Sequence, residues 1–170
     1  MYAKLQRLYF FFGTLIGIRI CSEENYCPPN WKGFNGDCYN FLSDLHMNWQ
    51  HARDYCRHRG SKLVEIESAL EDKFIIQNVV AFNFTNNCFW LGGSNDEGRR
   101  NWSWVTSQKP FEYTNWGPGE PNHYLPNENC LNLLNDPLYH YVYYWNDQYC
   151  TRSCHLICEQ PGNIEGSLVG

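Results

Sequence analysis

Gly119-Glu120-Pro121-Asn122 is followed by Glu128 and, further along the chain, by Trp145-Asn146-Asp147. These segments contain five oxygen-bearing side chains: Glu120, Asn122, Glu128, Asn146 and Asp147. Ca²⁺ prefers six to eight oxygen ligands and accepts carboxylates together with amide and backbone carbonyls. We therefore predict that the two parts of the chain converge on one calcium ion.

The same side chains have hydrogen-bonding capacity left for a second ligand. One oxygen from each, with the backbone oxygen of Asp147, supplies about six ligands and leaves about two positions open. Asn122 and Asn146 keep an NH₂ donor, whereas Glu120 and Glu128 keep an acceptor oxygen. A sugar with two adjacent hydroxyls would suit such a site. Pro121 favours a fixed backbone, and the peptide bond that precedes it could be either cis or trans.

Length and composition narrow the class of protein. A chain of 170 residues with 43% hydrophobic content is expected to form a single domain around one core. The net charge of −5 and the lack of a Lys or Arg run exclude nucleic acid as an expected partner. Aromatic residues make up 17% of the chain, more than the core requires, so some rings are available for a surface or site.

The amino-terminal segment resembles a secretory leader. Lys4 and Arg7 precede an apolar run from Leu8 to Ile18, which is shorter than the ~20 residues of a membrane span. We predict that residues 1–21 are a signal peptide, with an open cleavage point, and that the protein is secreted and extracellular. A membrane anchor is the disfavoured alternative.

Nine cysteines in a secreted chain predict a disulfide framework. They are Cys21, Cys27, Cys38, Cys56, Cys88, Cys130, Cys150, Cys154 and Cys158. Cleavage after Cys21 would leave eight that can all pair; otherwise Cys21 is a spare thiol. A zinc site at the last three cysteines is disfavoured, because their spacing is not of the CxxC type.

Two helices are predicted in the first half of the chain. Asn48 is a plausible N-cap for a helix with Trp49, Ala52 and Cys56 on one face, ending at Gly60. The pair Ser68 and Glu71 predicts a capping box for the second helix, which ends near Asn83. Its predicted apolar side is formed by Leu70, Phe74, Val79 and Phe82.

Short strands are predicted elsewhere, at residues 38–41, 89–92, 101–105, 130–134 and 155–159. Two helices before a mainly antiparallel sheet indicate an α+β fold. The Pro-rich segment 109–127 is predicted to be a long irregular loop with a functional role. Residues after Glu159 are polar and Gly-rich, so 161–170 is expected to be a loose tail.

Two sequons mark candidate sites for N-linked sugar. Asn83 is followed by Thr85 at the required spacing, and Asn101 is followed by Ser103. We therefore expect a glycoprotein, with the occupancy of each site open.

Between Cys27 and Glu159 the chain resembles a C-type lectin domain of the long form. The matching pieces, in chain order, are Trp90-Leu91-Gly92, Tyr113-Thr114-Asn115-Trp116, Glu120-Pro121-Asn122, Glu128-Asn129-Cys130 and Trp145-Asn146-Asp147. The chain also resembles small secreted lectins of the perlucin type. The resemblance implies a carbohydrate-recognition domain over residues 22–160, with two helices, antiparallel sheets and a long calcium-binding loop, stapled by disulfides.

The resemblance also implies a disulfide pairing. It pairs Cys27 with Cys38, Cys56 with Cys158, and Cys130 with Cys150. Cys88 is then left to pair with Cys154, a bridge outside the common family pattern.

The ligand expected from the resemblance is a mannose-type glycan. In the family that this chain resembles, the Glu-Pro-Asn triplet is associated with binding of mannose, glucose and fucose, whereas Gln-Pro-Asp is associated with binding of galactose. The expected partners are glycans with equatorial vicinal diols, on microbial or cell-surface glycoconjugates. Asn95, His123 and Asn129 stand at the accessory calcium positions, so one functional calcium ion is expected.

Aromatic residues near the motifs are candidates for sugar contact. Tyr124 directly follows the Glu-Pro-Asn region and is the leading candidate. Residues 137–144 form an aromatic segment before Trp145; it either stacks on the sugar or extends a hairpin whose Tyr side chains pack on the sheet.

Other functions are less consistent with the sequence. A glycoside hydrolase would use Glu120 and Glu128 as its carboxylate pair, but a nearby cation lowers the pKa that a catalytic acid needs raised. We expect no enzymatic activity. Binding of a mineral or protein surface in an extracellular matrix is the alternative to sugar binding. No heptad or collagen-like repeat predicts an oligomer, although direct domain contacts or Cys21 could produce one.

Overall fold

The computed structural model describes residues 25–84, 87–95, 101–124, 127–136 and 141–164. The expected signal peptide with Cys21 lies outside these ranges, as do Thr85, residues 137–140 and residues 165–170. Neither helix in the described ranges is long and apolar enough to cross a bilayer.

The described residues form two helices and ten strands, in the chain order that follows. They are β1 (Asn25–Tyr26), β2 (Lys32–Phe34), β3 (Asp37–Met47), α1 (Trp49–Arg57), β4 (Lys62–Leu63), α2 (Ala69–Val80), β5 (Asn87–Asn95), β6 (Trp102–Trp104), β7 (Cys130–Asp136), β8 (Tyr141–Gln148), β9 (Cys154–Pro161) and β10 (Asn163–Ile164). The predicted α+β class is confirmed.

Eight of these strands form one sheet, and β1 pairs with β10 in a separate two-stranded ribbon. The main path runs β2-β3-β9-β5-β7-β8, with β4 paired to β9 and β6 paired to β5. All neighbouring pairs are antiparallel except β5 and β9, which are parallel. Strands β7 and β8 therefore lie at the end of the sheet, where they meet the long loop.

Helix α1 begins and ends as its sequence predicts. The Asn48 side chain accepts a hydrogen bond of 2.9 Å from the backbone N–H of His51. Trp49, Ala52 and Cys56 are buried on one face. Gly60 then adopts a φ of +70°, a conformation that favours glycine and ends the helix.

Helix α2 has the predicted N-cap but a different buried side. The Ser68 hydroxyl accepts from the Glu71 N–H at 3.2 Å, and the Glu71 carboxylate accepts from the Glu67 N–H at 2.8 Å. The prediction for Leu70 is wrong, because its side chain is 72% exposed, whereas Glu71 and Asp72 are buried. Both acids have hydrogen-bond partners on other elements, and these contacts orient the first turn of the helix.

Four disulfides join the described strands and helices, with the pairing that the resemblance implies. They are Cys27–Cys38, Cys56–Cys158, Cys88–Cys154 and Cys130–Cys150. The bridge from Cys56 to Cys158 ties α1 to β9 and closes a separation of 102 residues. Cys130–Cys150 lies beside the candidate site, since it joins the start of β7 to the residues just after β8.

Strand β8 does not appear among the strands predicted from the sequence. Tyr143 has a φ of +57°, and the register with β7 shifts between Leu134 and Asn135. This irregularity breaks the alternation by which a strand is recognised. Tyr143 is buried and its ring lies 6.3 Å from the ring of Phe89, so it packs on the sheet.

The expected tail begins with ordered pairing instead of a loose end. Asp37 on β3 pairs with Pro161, and the Gly162 N–H donates to the Gly36 carbonyl at 2.8 Å. Asn163 then pairs with Tyr26 in the β1–β10 ribbon. These backbone pairings extend the structured domain beyond residue 160.

Candidate functional site

The long irregular loop is anchored at its start by a buried carboxylate. Glu65 is buried, and its Oε1 accepts hydrogen bonds from the backbone N–H groups of Thr106, at 2.9 Å, and Ser107, at 3.2 Å. The segment between β6 and β7 was predicted to be irregular, and its described residues include no further strand. They form only isolated β-bridges, from Ser103 to Pro110 and from Trp116 to Trp145.

Asp72 of α2 joins the middle of the loop to β8. Its Oδ2 accepts from the Asn115 side-chain NH₂ at 2.8 Å, and its Oδ1 accepts from the Trp145 indole N–H at 2.9 Å. Burial raises the pKa of Asp72, whereas hydrogen bonds from Trp145, Tyr113 and Asn115 oppose that rise. One buried carboxyl group thus positions both sequence segments that carry the candidate ligands.

Backbone pairing brings the loop alongside β8. The Trp145 N–H donates to the Asn115 carbonyl at 2.9 Å, and the Gly117 N–H donates to the Trp145 carbonyl at 2.9 Å. Gly119 has a φ of +89°, which favours glycine, and the chain turns there into Glu120. The two motifs predicted to converge therefore lie together.

Glu120 and Asn122 interact through both backbone and side chains. The Glu120–Pro121 peptide bond is cis. The Asn122 side-chain NH₂ donates to Glu120 Oε1 at 2.9 Å, and the Asn122 backbone N–H donates to Glu120 Oε2 at 3.1 Å. The amide donor and the carboxylate acceptor are thus adjacent at the rim of the site.

Asp147 is buried beneath this turn and binds its backbone. Its Oδ1 accepts from the Asn122 N–H at 3.1 Å, and its Oδ2 accepts from the His123 N–H at 2.9 Å. The His123 imidazole Nδ1 also lies 3.0 Å from Asp147 Oδ2. Asp147 therefore fixes residues 122 and 123 against β8.

Asn146 is held by the buried side chain of Asn132, a residue that was not predicted from the sequence to belong to the site. Its NH₂ donates to the Asp147 carbonyl at 2.6 Å and to the Asn132 Oδ1 on β7 at 3.3 Å. Asn132 is fully buried and pairs with Asn146 across the two strands. The sequence carries no local signal for this pair, because it depends on the register between β7 and β8, and β8 was not among the predicted strands.

Four of the five predicted ligand side chains line one cavity of about 490 Å³. They are Glu120, Asn122, Glu128 and Asn146, and Tyr124 lines the same cavity. Asp147 contacts the loop from below instead. The remaining lining residues were not predicted from the sequence: Leu134, Asp136, Gln148 and Arg152. The Arg152 N–H donates to the Tyr149 carbonyl at 3.0 Å, so this residue is presented by the turn after β8.

The carboxylates of the site lie close enough to influence each other. Partial burial, a hydrogen bond with Asp147 and the negative charge of Asp147 raise the pKa of Glu120 to about 7, whereas hydrogen bonds from Asn122 oppose this rise. Two neighbouring carboxylates disfavour simultaneous ionisation. A divalent cation would relieve this repulsion, so the donor set suits Ca²⁺ chemically.

The described residues contain no cluster of three or more His, Cys, Asp or Glu side chains arranged to hold a metal ion. The candidate site combines carboxylates with amides instead. Of the positions expected to lack accessory calcium, Asn95 is buried, and neither of its side-chain polar atoms has a partner among the described residues. His123 contacts Asp147, and the Asn129 carbonyl accepts from Ser94 Oγ at 2.9 Å. The expectation of a single calcium ion stays a prediction.

The chain belongs to the C-type lectin domain family, a family of carbohydrate-binding domains and not of enzymes. The family model described as Lectin C-type domain matches residues 45–160 of this chain. Perlucin of Haliotis laevigata is 38% identical over 136 residues, which cover 79% of this chain and 83% of perlucin. Hepatic lectin of Gallus gallus is 34% identical over 132 residues, 77% of this chain, and the chain spans 58% of that lectin.

Solved structures show the same fold. The cow carbohydrate-recognition domain of CD23, determined in the presence of a GlcNAc2Man3 oligosaccharide, is 28% identical with a TM-score of 0.69, covering 82% of this chain and 98% of that domain. A calcium-independent type II antifreeze protein is 25% identical with a TM-score of 0.67, covering 81% of this chain and 96% of that protein.

Proposed function

We propose that this protein is a secreted lectin that binds mannose-type sugars through one calcium ion. The observation that carries the proposal is the cavity of about 490 Å³ in which Glu120, Asn122, Glu128 and Asn146 meet. The two sequence segments that supply these side chains are held together by Asp72 and by the backbone pairs of Trp145.

Calcium binding would use the oxygen atoms of this cavity together with those of Asp147. Three carboxylates, from Glu120, Glu128 and Asp147, against a divalent ion leave a net charge of about −1. Asn122 and Asn146 add neutral carbonyl oxygens, which suit a hard cation. Partial burial and the neighbouring Asp147 raise the pKa of Glu120, and a cation bound in the cavity would favour its charged form.

Sugar binding would use the same side chains a second time. A pair of adjacent hydroxyls would take the open calcium positions, accept from the amide NH₂ of Asn122 or Asn146, and donate to Glu120 or Glu128. The order of Glu120 and Asn122 supports equatorial vicinal diols of the mannose, glucose and fucose type, as in family members with the same triplet. Glycans on microbial or cell surfaces carry such groups.

A second candidate is binding to a mineral or protein surface in an extracellular matrix, without sugar. The similarity to a calcium-independent antifreeze protein supports it, because the fold alone does not require calcium. Removal of calcium distinguishes the two candidates, because it should abolish sugar binding by the lectin but leave calcium-independent binding to a surface unchanged.

Retention on immobilised mannose tests the proposal. The protein should bind in millimolar calcium and elute with a chelator, and Glu128→Gln should not be retained, because it removes a carboxylate from the cavity. Glu112→Gln is the matched control, since it removes one negative charge from an exposed side chain and should bind like the unaltered protein. Retention that the chelator leaves unchanged would overturn calcium-dependent binding, and chelator-insensitive binding to a mineral surface would favour the second candidate.

A further inference from the structure

A second groove lies apart from the candidate sugar site and shares none of its lining residues. It is open to the surface and has a volume of about 560 Å³. Three half-buried aromatic side chains, Trp102, Phe111 and Trp116, line it together with polar groups that include Asn101 and Thr114. Aromatic walls with a few polar groups are typical of small-ligand sites of roughly 300–1,000 Å³.

The three rings contact one another and give the groove a fixed wall. The Trp102 and Trp116 rings lie 5.0 Å apart in an edge-to-face arrangement, and the Trp102 and Phe111 rings lie 6.0 Å apart and are stacked. Phe111 and Trp116 are 6.3 Å apart. All three pack against the main hydrophobic core. Partly exposed aromatic faces of this kind provide apolar surface for the C–H face of a sugar ring.

The groove begins at a residue that can carry a sugar covalently. Asn101-Trp102-Ser103 is an N-glycosylation sequon, and Asn101 is exposed immediately before β6. Asn101 itself lines the groove. A sugar attached to its side-chain nitrogen therefore starts at the edge of the aromatic wall.

We propose that Asn101 carries an N-linked glycan whose first N-acetylglucosamine packs on Trp102, Phe111 and Trp116. In the attachment step the Asn101 amide nitrogen bonds to the anomeric carbon of a lipid-diphosphate-linked oligosaccharide. The bond from that carbon to the diphosphate oxygen breaks, the amide loses one proton, and the lipid diphosphate leaves. The step requires passage through a secretory pathway and is independent of calcium or mannose binding by the other site.

A tethered sugar is favoured over a free one in this groove. A short covalent link gives an effective concentration in the millimolar range, which suffices for a weak stacking interaction. The glycan in turn covers aromatic surface that water would otherwise contact. The expected consequence is that the glycosylated domain unfolds at a higher temperature.

The test uses the full chain secreted from eukaryotic cells. Mass spectrometry of the peptide that contains Asn101 should show a glycan, and NMR should show contacts between the first N-acetyl methyl group and the indole protons of Trp102 or Trp116. The Tm should exceed that of secreted Asn101→Asp by about 2–4 °C. Trimming the glycan to its first sugar should preserve both signals.

Two controls separate the effect of the glycan from that of the substitution. Asn101→Asp and the unaltered chain, both made without glycan in bacteria, should unfold at the same temperature. Asn83→Asp is the matched variant at the other sequon; Asn83 is also exposed, and Asp tolerates its φ of +52°. It should leave the NMR contacts of the Asn101 glycan intact.

An unmodified Asn101 would overturn the proposal. A glycan that is attached but shows no contact with the indoles and no Tm difference would overturn the packing. Binding of free N-acetylglucosamine to the unglycosylated chain with the same NMR contacts, together with an unmodified Asn101, would assign the groove to an external sugar instead.

Discussion

The Trp145 indole N–H donates a 2.9 Å hydrogen bond to Oδ1 of Asp72, across a separation of 73 residues. Trp145 directly precedes Asn146 and Asp147 on β8, whereas Asp72 lies in the first turn of α2. The second oxygen of Asp72 binds Asn115, which leads into the Glu120 turn. The geometry of the candidate site therefore depends on a helix that contributes no ligand to it.

We expect Asp72→Ala to weaken both the fold and calcium binding. The substitution leaves the buried indole N–H of Trp145 and the NH₂ of Asn115 without their acceptor, which costs about 1–3 kcal/mol for each group. Urea unfolding in chelator should show a lower free energy of unfolding, and calorimetry at low temperature should show weaker calcium affinity.

Asp72→Asn is the matched variant for this prediction. It keeps the size of the side chain and one acceptor oxygen, so its loss of stability should be smaller than that of the alanine variant. Equal calcium affinity in the alanine variant and the unaltered protein would contradict the positioning role of Asp72.

Local signals in the sequence predict part of this arrangement. Capping by Asn48 and Ser68 involves residues three positions away, so both helix starts are predicted correctly. The role of Asp72 is not predictable in this way, because its partners lie 43 and 73 residues further along the chain. Leu70 is misplaced for a related reason: long-range hydrogen bonds to its neighbours Glu71 and Asp72 turn that side of the helix inward.

The candidate site is predictable as a set of residues but not as a cavity. The triplets around Asn122 and Asn146 are recognisable in the sequence, and the structure brings them together. Gln148 reaches the site as the last residue of β8, and Arg152 reaches it only through the turn that follows this strand. Strand β8 was not predicted, because it is irregular at Tyr143, which has a positive φ, and so lacks the alternation of apolar and polar residues by which a strand is recognised.

Stability without calcium should fall as pH rises, because of the buried carboxyl group of Glu159. Lys62 lies 2.9 Å from Glu65 and 3.5 Å from Glu159, so one cation faces two buried carboxylates. Burial raises the pKa of Glu159 from 4.5 to about 7, although Lys62 and the Glu65 N–H oppose this rise. The folded protein thus binds this proton more tightly than the unfolded chain.

The sign of the effect follows from that difference. The stabilising contribution of the Glu159 proton is complete below about pH 4.5 and is lost as pH rises towards 7, by roughly 3 kcal/mol at most. Urea unfolding in chelator at several pH values measures this slope, and Glu159→Gln should make it shallower. A slope of the same sign should remain from Glu120, whose pKa is also raised to about 7. The control Glu112→Gln, at an exposed position, should leave the slope intact. An unchanged slope in Glu159→Gln would refute the assignment to Glu159.

The double substitution Glu120→Gln with Asn122→Asp should shift sugar preference from mannose towards galactose. In the unaltered protein the amide at position 122 donates to the carboxylate at position 120 at 2.9 Å. The double substitution reverses donor and acceptor while keeping the two side chains paired. Hydrogen bonds to charged groups contribute about 1.5–3 kcal/mol, so a change of roughly tenfold or more in relative affinity is expected.

Glycan arrays with calcium measure this change, and the single substitutions serve as controls. Asn122→Asp alone places two carboxylates side by side, so it should weaken binding of both sugars without reversing preference. An identical array profile for the double variant and the unaltered protein would count against the donor and acceptor order as the source of specificity.

Tyr124 should contribute ring contact to the sugar without affecting calcium. Its side chain is 81% exposed and lines the cavity, while its backbone N–H donates to Asn122 Oδ1 at 2.6 Å. Tyr124→Ala removes the ring but keeps that backbone bond. Stacking contacts contribute about 0.5–1.5 kcal/mol, so the affinity for methyl mannoside at saturating calcium should fall about 2- to 12-fold.

Calorimetry can compare the sugar affinity of Tyr124→Ala with that of two other variants, Tyr124→Phe and Val142→Ala, and can also compare the stability of all three. Tyr124→Phe keeps the ring and should retain most of the affinity, whereas an equal loss in both variants would assign the contact to the hydroxyl. Val142→Ala shortens another exposed apolar side chain, 60% exposed, and should leave sugar affinity unchanged. The free energy of unfolding should be the same in all of them, because exposed side chains contribute little to it. If Tyr124→Ala binds methyl mannoside as tightly as the unaltered protein, the ring does not contact the sugar.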